Sequence, residues 1–105
     1  MPRRRVADWW RRSGERQLRA LLNEWDPIGV LRFDPDWPRD EYDPYLGPVF
    51  GALLDGGGVP EVRHALARAL ARMGLDPAGE REDAVAERIV CWWKGSLPER
   101  QNQAE

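Results

Sequence analysis

The sequence predicts an all-α domain, a compact bundle of about four helices with proline-rich connecting loops. Three observations carry this. Apolar residues recur at spacings of three and four in several separate windows. No run of useful length alternates with a strand's period of two. The turn chemistry Asp-Pro-x-Gly occurs twice, at Asp26-Pro27-Ile28-Gly29 and Asp76-Pro77-Ala78-Gly79, and breaks the helical pattern both times. A chain of 105 residues is one domain, long enough to build a single core without covalent staples.

Taken in order, residues 1–12 read as a basic, tryptophan-containing arm or short helix, with Trp9-Trp10 set among arginines. The main domain then spans 13–97. Ser13 is a candidate N-cap, with Glu15 in the first turn. Leu18, Leu21, Leu22 and Trp25 form one stripe of the first helix. Asp26 before Pro27 ends it, because the proline ring disfavours helical geometry in the residue before it. Val30, Leu31 and Phe33 read as a short buried connector, and Asp34 to Arg39, with two prolines, as irregular chain.

A second helix is expected over about 40–55, with Tyr42, Tyr45, Leu46, Val49, Phe50, Leu53 and Leu54 on its inner face. Pro44 and Pro48 leave its start open. Either Asp43 caps a helix that Pro48 then bends, or a single turn precedes a helix beginning near Pro48. Gly56-Gly57-Gly58 ends the segment. Pro60 and Glu61 open a third helix with Val62, Leu66, Ala69, Leu70 and Met73 inward and Gly74 as C-terminal cap. A fourth spans about 81–94, with Val85, Ile89, Trp92 and Trp93 apolar and Gly95 closing it. Residues 98–105 read as a polar, disordered tail after Pro98.

Composition excludes several classes. A lone Cys91 permits neither an internal disulfide nor a multi-cysteine zinc site and fits a reducing cytoplasm. No apolar run approaches a membrane span, and no apolar segment follows Arg3-Arg4-Arg5 to make a signal peptide. Fifteen arginines against one lysine suggest the coding bias of a high-GC bacterial genome. Net charge is −2 but unevenly placed: residues 1–19 hold seven arginines against two acids, and residues 24–43 hold seven acids against two arginines. The two ends can attract each other, or the acids can meet a basic partner.

The stretch Leu21-Leu22-Asn23-Glu24-Trp25-Asp26-Pro27-Ile28-Gly29-Val30, followed by Asp40-Glu41-Tyr42-Asp43-Pro44-Tyr45, resembles the YugE-like family of small bacterial proteins, a domain of unknown function. Leu53-Leu54-Asp55-Gly56-Gly57 fits the same pattern, and the resemblance covers about residues 18–75. It implies a compact helical fold and no particular activity. The basic arm and the prolines at 38, 44 and 48 depart from the family's pattern.

No catalytic set assembles from these residues, and no enzyme, cofactor or metal is expected. His64 is the only histidine, with Glu61 one turn away in an ordinary surface arrangement. Cys91 is expected to be a buried, inert thiol. The glycine run lacks the Lys-Ser/Thr ending of a phosphate loop, and Asp40, Glu41 and Asp43 lack calcium-loop spacing. These acids suit a helix start instead.

The leading expectation is a protein-interaction module, such as an immunity or inhibitor protein, using Trp25, Asp26, Trp37, Asp40, Glu41, Tyr42 and Asp43 against a basic protein. The alternative is nucleic-acid binding through Arg3, Arg4, Arg5, Trp9, Trp10, Arg11 and Arg12, whose arginines suit phosphates and whose indoles suit bases. Such an arm could also lie on an anionic membrane. Against both stands a packing role, with the tryptophans covering one end of the bundle against Trp92 and Trp93. The overall acidic balance also disfavours a dedicated nucleic-acid binder.

Overall fold

In a computed structural model, residues 3–77 and 79–102 are described, and among them the chain is helical with no strand. The helices are α1 (Arg3–Trp9), α2 (Glu15–Trp25), α3 (Val30–Phe33), α4 (Leu46–Leu54), α5 (Val59–Arg72), α6 (Arg81–Gly95) and α7 (Leu97–Asn102). A π-turn at Trp10–Gly14 joins α1 to α2, and a 3-10 turn at Asp43–Tyr45 leads into α4. The molecule measures 42 × 31 × 19 Å, so its short axis is about two helix diameters deep.

The core is one cluster. Leu18, Leu22 and Trp25 of α2, Val49 and Leu53 of α4, Val62, Leu66 and Leu70 of α5, and Ala86 and Ile89 of α6 are all buried in it. The stripes read from sequence on α2 and α5 are the faces that meet there; on α4 Leu54, expected inward, is half exposed, and on α6 the buried apolar residues are Ala86, Ile89 and Val90, with Val85, Trp92 and Trp93 only partly buried. Among the described residues, no helix is long and apolar enough to cross a membrane.

Several local expectations are corrected. Ser13 caps nothing, because the chain is helical without interruption from Arg3 to Trp25. Instead the helix widens to a π-turn at residues 10–14, and the Trp9 ring packs against Gly14. A Cβ on Gly14 would stand 2.5 Å from that ring, so only glycine fits. Of the two starts left open for the second helix, the structure has the single turn first, a 3-10 turn at Asp43–Tyr45, followed by a regular helix from Leu46. Pro44 then lies in the preceding 3-10 turn, and Pro48 is the third residue of α4, where a helix needs no amide donor. Pro48 therefore bends nothing.

The connector at 30–33 is a short helix that buries only Leu31, and Phe33 points outward. Leu97–Asn102 form α7 where a polar tail is expected, with Pro98 tolerated in the first turn. Residues 103–105 lie outside the described residues. The end of α5 follows the expected chemistry: Gly74 has φ 78°, the Gly74 amide donates to the Ala71 carbonyl, and the Leu75 amide donates to Leu70. That pair of bonds is a Schellman motif, and it turns the chain toward α6.

Candidate functional site: a pinned acidic loop

The chain from Asp26 to Asp43 is built around one buried carboxylate. Asp26 is the residue after α2, in the left-handed region at φ 43°, a conformation that aspartate tolerates. Its amide donates to the Leu22 carbonyl at 3.0 Å, and Gly29 donates back to the Asp26 carbonyl at 3.0 Å, closing the Asp-Pro-x-Gly turn. The carboxylate thus faces inward. It accepts the Tyr42 hydroxyl at 2.5 Å, the Leu31 amide at 3.3 Å and the Arg32 amide at 3.0 Å, with the Arg32 guanidinium at 3.9 Å. The Ile28 amide donates to the Tyr42 hydroxyl at 3.3 Å.

Burial alone would push the Asp26 carboxyl upward. The bonds from Tyr42, Arg32 and Leu31 and the Arg32 charge outweigh it and hold the group below the ordinary carboxylate range. Burial first, and the bond to Asp26 second, push the Tyr42 phenol up, so it stays a donor.

Trp25 is fastened from the other side. Its indole donates to the buried Glu82 carboxylate at 2.8 Å, and Arg81 donates to its backbone carbonyl. Trp25, Asp26 and Tyr42 are therefore all interior, at 2%, 1% and 1% exposure, and cannot touch a partner. This corrects their assignment as contact residues. The aromatic-acid pattern that singled them out is the signature of a buried knot joining α2, the start of α3 and the entry to α4.

What the knot displays is the loop between its ends. Phe33 is 89% exposed, Ile28 46% and Trp37 38%. Around them stand Asp34, Asp36, Asp40 and Glu41. The loop is tied at several points. The Asp36 amide donates to the Asp34 carboxylate at 3.0 Å, and the Trp37 indole donates to Glu41 at 2.7 Å. Arg39 donates to the Pro35 carbonyl at 3.1 Å, and Asn23 of α2 donates to the Arg39 carbonyl at 3.0 Å.

Asp43 is spoken for. Both its oxygens accept from Arg19, at 2.8 and 2.9 Å, so part of the charge asymmetry is satisfied within the fold. Asp36 and Asp40 have no cationic partner among the described residues. Of the predicted contact residues, Trp37, Asp40 and Glu41 thus share one exposed loop. Phe33 and Ile28 were missed, because an apolar residue in a short segment reads as core.

The basic arm has a different fate. Trp9 is fully buried, with its ring 5.8 Å from Trp92 and 6.1 Å from Trp93. Trp10 stacks on Phe50 at 3.9 Å, and Arg11 pairs with Asp8. Arg100 of α7 lies 3.5 Å above the Trp93 ring and donates to the Trp93 carbonyl at 2.6 Å. Burial lowers its pKa. Trp9 thus has no free face for a base, and Phe50 covers one face of Trp10. Arg12 lies on the exposed side of the π-turn. The side chains of Arg3, Arg4 and Arg5 lie outside the described residues.

Cys91 is exposed, which corrects its reading as a buried thiol. Among the described residues no group of three or more histidines, cysteines and carboxylates could hold a metal ion. No family model, curated protein or solved structure matches this chain.

Proposed function

We propose that this protein is a non-enzymatic interaction module that binds a basic protein through the loop from Ile28 to Glu41. The observation that carries the reading is Phe33, the last residue of α3, an aromatic side chain 89% in solvent where the chain enters a loop tied by hydrogen bonds and flanked by unpaired carboxylates. An exposed aromatic anchor supplies contact area, and a pinned backbone loses little freedom on binding. Asp36 and Asp40 would steer a cationic surface toward it. In its concrete form the module is an immunity or inhibitor protein that covers an enzyme's or toxin's site in a reducing bacterial cytoplasm. The resemblance of residues 18–75 to the YugE-like family belongs to this reading.

The test is affinity capture with the wild-type chain and with Phe33→Ser, each shown to be helical by circular dichroism. A protein recovered by the wild type and lost with Phe33→Ser supports the proposal. With that protein in hand, Asp36→Lys combined with Asp40→Lys should slow association about tenfold or more at low salt and leave dissociation nearly unchanged. Equal recovery by both chains overturns the reading.

A further inference from the structure

On another part of the surface, α4 and α5 enclose an open groove of about 700 Å³. That is the size of a small-molecule cleft. Gly51, Ala52, Ala65 and Ala69 line it, and none of their side chains rises higher than a Cβ. Pro44, Tyr45 and Pro48 border it on the α4 side. His64, Arg68 and Arg72 stand four residues apart along α5, a row about 12 Å long. Asp55 and Glu61 lie near its other end, where Glu61 is occupied by the Gly58 amide at 2.7 Å.

Two features of this groove have no explanation within the fold. Arg68 and Arg72 have no carboxylate partner among the described residues, whereas Arg63 on the same helix is held by Asp83 at 2.7 Å and by the Pro77 and Gly79 carbonyls. Gly51 sits in the interior of α4, where glycine weakens a helix relative to alanine. It has no positive φ, and a Cβ there would meet nothing within 4 Å. Neither backbone geometry nor packing requires glycine at 51. Its effect is to keep the groove open.

We propose that the groove between α4 and α5 binds a small anionic molecule with a flat apolar body, such as an aromatic phosphate or carboxylate. Arg68 and Arg72, one turn apart, offer guanidinium forks to a single oxyanion, and His64 adds a further donor at the wall. The body lies along the glycine-alanine lining against Tyr45 and Pro48. The carboxylates at the far end repel the anion and fix which way the ligand points. The site is independent of the acidic loop and does not rest on its proposed role.

The probe is 1-naphthyl phosphate, titrated into the full chain by isothermal calorimetry and followed by amide shifts in two-dimensional NMR. Saturable binding with shifts on α4 and α5 is expected. Gly51→Leu, which fills the groove from an unobstructed position, should weaken binding about tenfold or more. Arg68→Ala with Arg72→Ala should weaken it by at least about tenfold, and 1-naphthol, lacking the anion, should bind similarly poorly. Gly51→Ala should raise the unfolding midpoint, which shows that the fold does not need the glycine. The proposal is overturned if Gly51→Leu binds as well as wild type, if 1-naphthol binds as tightly as the phosphate, or if the shifts fall outside α4 and α5. It is also overturned if an acidic amphipathic peptide occupies the groove and naphthyl phosphate does not.

Discussion

The tryptophan cluster at the chain ends and the segment from Trp25 to Asp43 are alike in sequence and opposite in structure. Each crowds aromatics beside charges, and each reads as a recognition surface. In the first, α1 and α7 are brought together at one end of the molecule, and Trp9, Trp92, Trp93 and Arg100 pack into one another. In the second, three prolines and a left-handed aspartate hold the backbone in a loop. The aromatics then divide: Trp25 and Tyr42 turn in, Phe33 and Trp37 turn out. Aromatic residues beside charges therefore do not mark a binding face. Whether the intervening backbone can place them on opposite sides decides it.

Substitutions can break or sharpen this contrast. The largest effect is expected from Trp9→Ala, which opens a cavity among rings and should cost about 3–5 kcal/mol in denaturant unfolding. A loss under about 1 kcal/mol would return the arm to the surface. Asp26→Ala leaves the Tyr42 hydroxyl and two amides without their acceptor and should cost about 3 kcal/mol or more.

The same residue predicts a pH dependence. Asp26 has a folded pKa below its unfolded value, so its contribution is present above about pH 4 and is lost as the pH falls through the folded value. Urea unfolding between pH 7 and pH 2 should show a smaller acid loss in Asp26→Asn than in wild type. An unchanged acid loss would place the titrating group elsewhere.

Gly14→Ala forces a Cβ against the Trp9 ring and should cost about 1–3 kcal/mol, although alanine is the better helix former. A stabilised Gly14→Ala would show that the ring can move aside. Tyr42→Phe removes one charge-assisted bond and should cost about 1.5–3 kcal/mol. At the bottom of the scale, Phe33→Ser should change stability by less than about 0.5 kcal/mol, because nothing packs on that ring. A larger loss would make Phe33 structural and remove it from the proposed binding loop.

Much of the fold was legible because it rests on local rules. The inner stripes of α2 and α5, the turn at Asp26-Pro27-Ile28-Gly29 and the cap at Gly74 follow from spacing and backbone chemistry within a few residues. The site was only half legible. Asp40, Glu41 and Trp37 were singled out by their charge and their proline-bounded setting, and the structure leaves them together on one loop. Phe33 was missed because its spacing from Leu31 and Val30 matches a buried connector. The groove was missed because Arg68 and Arg72 look like an ordinary solvated face, and nothing local shows that Arg63 is paired while they are not.

By itself the sequence determined the helical class, the positions of the main bends and the apolar faces of α2 and α5. All of these depend on torsional preference and periodicity, which act over one or two turns. Only the tertiary structure decided which aromatics are interior, that Asp26 and Tyr42 close one knot across sixteen residues, and that Gly51 lines an open groove between α4 and α5. These depend on which distant surfaces meet, and the pairing of surfaces is set by the packing of the whole core.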